Sequence, residues 1–264
     1  MMLHYPAINP IAFHVGPLAV HWYGLMYVVG ILSAFVLGLY RSSESFRKVS
    51  SEEVSDVLLF AAVGVFVGGR LGYMVFYDTQ TFIQHPLSVF EVWNGGMSFH
   101  GGFIGALVGT FLYSLKIKKN FFILTDFFAP MVPIGLFAGR IGNFINGELW
   151  GKVTSSNMGM VFPQGGPLPR YPSQLLEAFL EGIVLFIILW FFSRKPRPLM
   201  SVSAWFLIGY SVFRFFSEFF REPDIQRGYL LWNWLTEGQL LSLPMFLLGI
   251  ILCVLVRFRG DKVR

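Results

Sequence analysis

Long apolar runs separated by short polar connectors dominate the chain. The runs lie at roughly 19–39, 57–77, 97–115, 121–142, 174–192, 200–220 and 238–256. Each is near the ~20 residues a helix needs to cross the hydrocarbon of a bilayer. The pattern predicts an all-α integral membrane protein of seven transmembrane helices, with residues 1–264 forming a single integral membrane domain. The connectors alternate in charge. Arg41, Arg47 and Lys48; Lys116, Lys118 and Lys119; Arg194, Lys195 and Arg197; and Arg257, Arg259, Lys262 and Arg264 gather at one set of helix ends, whereas the other set holds Lys152, Arg170, Arg221 and Arg227. Positive charge stays on the cytoplasmic side, so the N-terminus is expected outside and the C-terminus inside. Segments at about 1–18, 78–96, 143–173 and 221–237 then face outward, and Gly165, Gly166, Pro167, Pro169 and Pro172 mark a loop-rich cap.

Composition agrees with a bilayer and removes other classes. Only 13% of the residues are charged and 55% are hydrophobic, with a mean hydropathy of +0.60. A soluble chain carries about 25% charged residues, so this one could not cover a water-facing surface. The formal net charge of +5 reflects cations scattered over short loops, which gives no continuous face for nucleic acid. Cys253 is alone, which excludes an intrachain disulfide, and no Cys/His spacing suggests a structural metal. The N-terminal stretch lacks Lys and Arg and is interrupted by Pro6, Pro10 and Pro17, so no cleavable signal is expected. Gly64, Gly68 and Gly72, like Gly101, Gly105 and Gly109, recur every four residues and predict close helix packing.

Ionisable groups are costly within a bilayer, so their depth is informative. Arg70 and Arg214 lie roughly 10 Å below the outer ends of their spans at ~1.5 Å per residue. Arg140 and Asn143 close the outer end of the fourth span, His100 opens the third, Tyr23 the first, and Glu177 and Glu181 the fifth. The inner halves hold only Asp126, near a cytoplasmic end. A transporter needs polar groups leading to both faces, whereas an enzyme acting on an outer-leaflet lipid needs a cavity open on one side. Tyr210, Arg214, Glu218 and Arg221 share one helix face, and Arg140, Asn143 and Gly147 share another. Two guanidinium groups aimed at one cavity require an anion or carboxylates between them, and Glu148, Glu177, Glu181 and Glu218 are available. Internal ion pairing that sets helix register is one reading. Capture of a phospholipid phosphate is the other, since guanidinium presents a planar, permanently charged fork. His100, flanked by Gly95, Gly96, Gly101 and Gly102, is suited either to taking a proton or to bonding a neighbour.

The run Gly139-Arg140-Ile141-Gly142-Asn143-Phe144-Ile145-Asn146-Gly147-Glu148-Leu149-Trp150-Gly151 resembles the signature of the prolipoprotein diacylglyceryl transferases. The likeness extends to His21-Trp22-Tyr23-Gly24, the glycine-flanked His100 in Trp93-Asn94-Gly95-Gly96, Tyr171-Pro172-Ser173-Gln174, Arg194-Lys195-Pro196-Arg197-Pro198, and the sixth span through Phe219-Phe220-Arg221-Glu222-Pro223-Asp224. The resemblance implies transfer of a diacylglyceryl group from phosphatidylglycerol to the lipobox cysteine of a prolipoprotein signal peptide, forming a thioether and releasing glycerol 1-phosphate. It also implies a multi-pass inner-membrane enzyme with seven spans and a periplasmic active site and cap, using no metal or organic cofactor. Tyr23, His100, Arg140, Asn143, Gly151 and Arg214 are the sensitive positions it marks. Arg140 is then expected to bind phosphate, Arg214 to stabilise the leaving group, His100 to activate the thiol, and Tyr23 and Asn143 to orient the head group. Glu148 and Glu218 would position the arginines, Gly151 would permit the loop geometry, and Arg70, Tyr210 and Arg221 complete the expected substrate site. A lipid-binding or lipid-moving protein without covalent chemistry, or an anion transporter, would also use outer-half arginines.

Overall fold

The computed structural model describes residues 3–6, 8–91, 95–223, 228–230 and 234–260, without the side chains of Phe99, Arg259 and Gly260. Trp93 and Asn94 of the His100 motif, Asp224 of the sixth-span motif, and Arg227, Lys262 and Arg264 among the flanking cations lie outside the described residues. The chain divides into two compact units, one made of Met1–Leu37 and Phe128–Arg264, the other of Gly38–Phe127.

The first unit begins with β1 (Leu3–His4), followed by β2 (Ile11–Val15) and β3 (Leu18–His21). β2 and β3 form an antiparallel hairpin, and β1 lies parallel to β4 (Met160–Val161). Its helices are α6 (Val132–Asn146), α7 (Ser173–Glu177), α8 (Leu185–Phe192), α9 (Ser201–Ser217) and α10 (Glu237–Gly260). The π-helical stretch Ala178–Val184 joins α7 to α8 without a break. α1 (Trp22–Ser42) leads from this unit into the second, which holds α2 (Ser51–Phe76), α3 (Thr79–Gln84), α4 (Phe99–Lys116) and most of α5 (Phe121–Phe128).

The protein is a largely helical membrane protein. Among the described residues, four helical stretches are long and apolar enough to cross a bilayer: Trp22–Ser42, Ser51–Phe76, Ser173–Phe192 and Glu237–Phe258. A fifth arises if α5 and α6 are one broken span. The sequence predicts a continuous helix over 121–142, but the structure turns at 129–131. Pro130 and Pro133 explain this, because neither supplies a backbone N–H and each disfavours helical geometry in the residue before it. α4 and α9 occupy two further expected spans but have 18 and 17 residues. At 1.5 Å per residue they reach about 26–27 Å, slightly less than the ~30 Å hydrocarbon layer.

α2 starts six residues before the apolar run because Ser50 and Glu53 form a capping box. The Glu53 N–H donates to the Ser50 hydroxyl at 3.3 Å, and the Ser50 N–H donates to Glu53 Oε2 at 2.8 Å. Within the second unit the two glycine stripes pack as the four-residue spacing predicts. A Cβ on Gly64 would strike the Gly105 carbonyl oxygen, and one on Gly68 the Gly101 carbonyl oxygen, so α2 and α4 approach backbone to backbone.

Candidate active site

Three helical segments of the first unit bring charged side chains together. α6 supplies Arg140, α7 and its π-helical continuation supply Glu177 and Glu181, and α9 supplies Arg214, with Glu218 just beyond its end. Arg140 Nε is 2.7 Å from Glu177 Oε2, and Arg214 Nη1 is 3.0 Å from the same oxygen. Glu181 lies behind them, 3.5 Å from Arg140 Nη2 and 3.7 Å from Arg214 Nη1. Glu218 pairs with Arg214 on its other side and accepts from Arg221 Nη1 at 3.4 Å. Cations and anions therefore alternate through the cluster. Glu177 and Glu181 are 1% and 0% exposed, whereas the Arg140 side chain retains 17%. Arg140 is thus the better placed guanidinium for reaching a ligand, and Arg214 is the more tightly held.

The position of Glu181 depends on the π-helical turn. An inserted residue in a helix re-aims the side chains that follow, and such turns recur at functional sites. Here it occupies the segment from Ala178 that carries Glu181 towards Arg140 and Arg214. Ser217 completes that end of the cluster by donating its hydroxyl to Glu181 Oε1 at 3.3 Å.

The loop after α6 folds back over its own last turn. Asn143 Nδ2 donates to Glu148 Oε1 at 2.9 Å, and Asn146 Nδ2 donates to the same atom at 3.2 Å. Leu149 takes a left-handed backbone with φ 59°, a conformation costing a non-glycine residue roughly 1–2 kcal/mol. Two bonds from α7 hold it: Gln174 Nε2 to the Glu148 carbonyl at 2.7 Å, and Ser173 Oγ to the Leu149 carbonyl at 3.0 Å. Gly151 then crosses between Tyr171 and Arg221, donating its N–H to the Tyr171 carbonyl at 2.8 Å. A Cβ at Gly151 would lie 2.6 Å from the Tyr171 oxygen and also against the Phe220 carbonyl, so only glycine fits. Tyr23 rests its ring against Gly142 of α6, with its hydroxyl 3.3 Å from that of Tyr27. Tyr210 precedes Arg214 by one turn of α9 and packs against the apolar group formed by Ala129, Leu185, Leu189 and Val202.

Two expected site residues belong to the second unit. Arg70 is committed to the loop after α2: its guanidinium donates to the carbonyls of Ser88 at 2.6 Å, Val89 at 3.0 Å, Glu91 at 3.0 Å, Gly96 at 3.3 Å and Gly95. A guanidinium has five N–H donors, so none remains for the lipid phosphate that sequence depth suggested for it. His100 is the second residue of α4, exposed, beside the N-cap Ser98 whose hydroxyl accepts from the Gly101 N–H at 3.2 Å.

The profile of the family described as prolipoprotein diacylglyceryl transferase matches residues 10–255, which include every residue placed above from Tyr23 to Arg221. The chain belongs to this family. A relative from Coxiella burnetii (strain RSA 331 / Henzerling II), named phosphatidylglycerol–prolipoprotein diacylglyceryl transferase, is 56% identical over 248 residues, covering 94% of this chain and 95% of that protein. A protein of the same name from Francisella tularensis subsp. tularensis (strain FSC 198) is 53% identical over 264 residues, covering 99% and 98%. Membership of the diacylglyceryl transferase family gives the buried cluster of α6, α7 and α9 a chemical context. Sequence reasoning named Glu177 and Glu181 only as available carboxylates, yet they are the centre of that cluster. It gave no role to Ser173, Gln174 or Ser217. Tyr171-Pro172-Ser173-Gln174 stood out as a motif, but its function of fixing a left-handed turn is visible only in three dimensions.

Proposed function

We propose that the protein transfers the diacylglyceryl group of phosphatidylglycerol to the thiol of a prolipoprotein lipobox cysteine, forming a thioether and releasing glycerol 1-phosphate. Membership of the family and the printed names of its full-length relatives support the donor and acceptor. The structural observation that carries the reading is the convergence of Arg140 and Arg214 on one buried oxygen of Glu177.

The substrate sulfur bonds to the glycerol carbon that bears the phosphate, and the carbon–oxygen bond breaks with its electron pair leaving on phosphate. The phosphodiester monoanion thereby becomes a monoester dianion. Fixed cations beside the departing oxygen stabilise that change more than they stabilise the bound lipid, which lowers the barrier. Arg140 binds the phosphate and Arg214 stabilises the leaving group, while Tyr23 and Asn143 orient the head group. Glu148, Glu177 and Glu218 hold these donors, Tyr210 and Arg221 border them, and Gly151 permits the loop that closes over them. A free thiol with a pKa of about 8.5 must lose its proton before it attacks. The imidazole of His100 accepts that proton. No metal or organic cofactor enters this scheme.

Seven crossings, with the cluster near the periplasmic face of a bacterial inner membrane, complete the proposal. The charge bias of the loops supports that orientation. Purified protein is incubated with phosphatidylglycerol and a lipobox peptide. The expected product is a peptide heavier by one diacylglyceryl group, with an equal amount of glycerol 1-phosphate. An unchanged peptide, with lipid bound or moved between vesicles, would establish the non-catalytic alternative instead.

A further inference from the structure

We propose that Thr236, which caps α10, and Gly238 in its first turn are positioning residues that hold Arg214 through Glu218; this inference rests on the role proposed above for Arg214. Glu218 divides its two oxygens. Oε1 faces Arg214 and Arg221, while Oε2 accepts a hydrogen bond of 2.7 Å from the Thr236 hydroxyl. A carboxylate bonded only at Oε1 can turn about its Cγ–Cδ bond and swing its arginines with it. The Thr236 bond blocks that rotation.

Thr236 is itself fixed by a second set of bonds. The Gln239 N–H donates to its hydroxyl oxygen at 3.2 Å, and the Thr236 N–H donates to Gln239 Oε1 at 3.1 Å. This is a capping box at the start of α10. One hydroxyl therefore caps the start of the helix and anchors the carboxylate. Thr236 is 3% exposed and Gln239 is fully buried, so water does not replace either bond. Gly238 lies between them, where a Cβ would be 2.6 Å from Glu218 Cδ and 3.0 Å from Arg214 Nη2. The first turn of α10 thus lies against the ion pair and can do so only with glycine there.

Capping and positioning are separable by substitution. Thr236→Val loses both, Thr236→Ser keeps both, and Gln239→Ala weakens the cap without touching Glu218. Gly238→Ala keeps the cap and presses on the ion pair. Transfer is measured in mixed micelles of phosphatidylglycerol with a lipobox peptide, beside thermal unfolding of each variant. Thr236→Val should lower kcat by about tenfold, the size of one lost buried hydrogen bond to a charged group, with KM for the lipid little changed because Arg140 is untouched. Thr236→Ser should restore kcat. Gln239→Ala should lower the unfolding temperature while leaving kcat near normal, and Gly238→Ala should lower kcat without unfolding α10 by circular dichroism. Full kcat in Thr236→Val, or an equal loss of kcat in Gln239→Ala, overturns the inference. Arg214→Lys separates this from failure of the underlying reading. If it transfers lipid normally, the role of Arg214 falls and the inference with it; if it is inactive while Thr236→Val keeps full kcat, only the inference falls.

Discussion

At the scale of residues, the cluster is organised around shared carboxylates. Glu177 forms ion pairs with two arginines of different helices, so its replacement affects both. Glu177→Gln leaves two guanidinium groups with fewer counter-charges in a buried setting, where removing one partner of an ion pair costs about 3–5 kcal/mol. A fall of that size in unfolding free energy, with loss of lipid transfer, is expected from denaturation and product assays; an unchanged unfolding curve would argue against the shared geometry. His100 makes a different prediction because its duty is to take a proton. Replacing it with Gln should lower the rate at neutral pH, and the deficit should shrink as pH rises towards 8.5 and the peptide thiol ionises unaided. A rate–pH profile parallel to that of the parent enzyme would exclude His100 as the proton acceptor. Much of this set is legible before folding: the 4, 4 and 3 spacing puts Tyr210, Arg214, Glu218 and Arg221 on one face, and a bilayer makes each charge conspicuous. Arg70 marks the limit of that logic. Its depth matches that of Arg214, but whether a loop returns to cover its guanidinium depends on contacts about twenty residues away along the chain.

At the scale of elements, local chemistry predicted where helices exist better than how they begin, break or bend. The Ser50–Glu53 capping box and the proline pair at 130 and 133 are both present in the sequence, yet hydropathy alone starts α2 too late and merges α5 with α6. The π-helical turn at Ala178–Val184 has no proline or glycine signal at its start, so nothing in the apolar pattern announced it. The glycine stripes were readable because spacing by four defines a face regardless of the partner. Their contact leads to a test: Gly64→Leu must separate the backbones of α2 and α4, since its Cβ alone meets the carbonyl of Gly105. A loss of at least 1–3 kcal/mol is expected from overpacking of this kind. Unfolding measurements in detergent should detect it, and a normal curve would show that the stripe does not bear the packing. Gly151→Ala is the corresponding change at the cap. Its methyl group would push against two carbonyls and should displace the loop carrying Glu148, reducing transfer more than thermal stability.

At the scale of the molecule, the charged cluster of the first unit gathers at one set of helix ends. Arg140 is near the C-terminal end of α6, Arg214 near that of α9, and Glu177 near the start of the α7–α8 segment, so three alternating helices present their charges at the same set of ends. Within the same unit the basic connector 194–197 lies at the other ends of α8 and α9. The reaction on an exported prolipoprotein requires the first set to face outward, which makes orientation the property on which the whole reading depends. Cys253 is the sole cysteine, so a Cys253→Ser background provides a clean reporter. Into it, Met158→Cys places a thiol on the cap, where Met158 is 61% exposed, and Lys195→Cys places one in an exposed basic connector. A membrane-impermeant maleimide added to intact spheroplasts should label position 158 at once and position 195 only after permeabilisation. The reverse pattern would put the arginines on the cytoplasmic side, which an exported lipobox has already left, and would separate the buried cluster from the activity proposed for it.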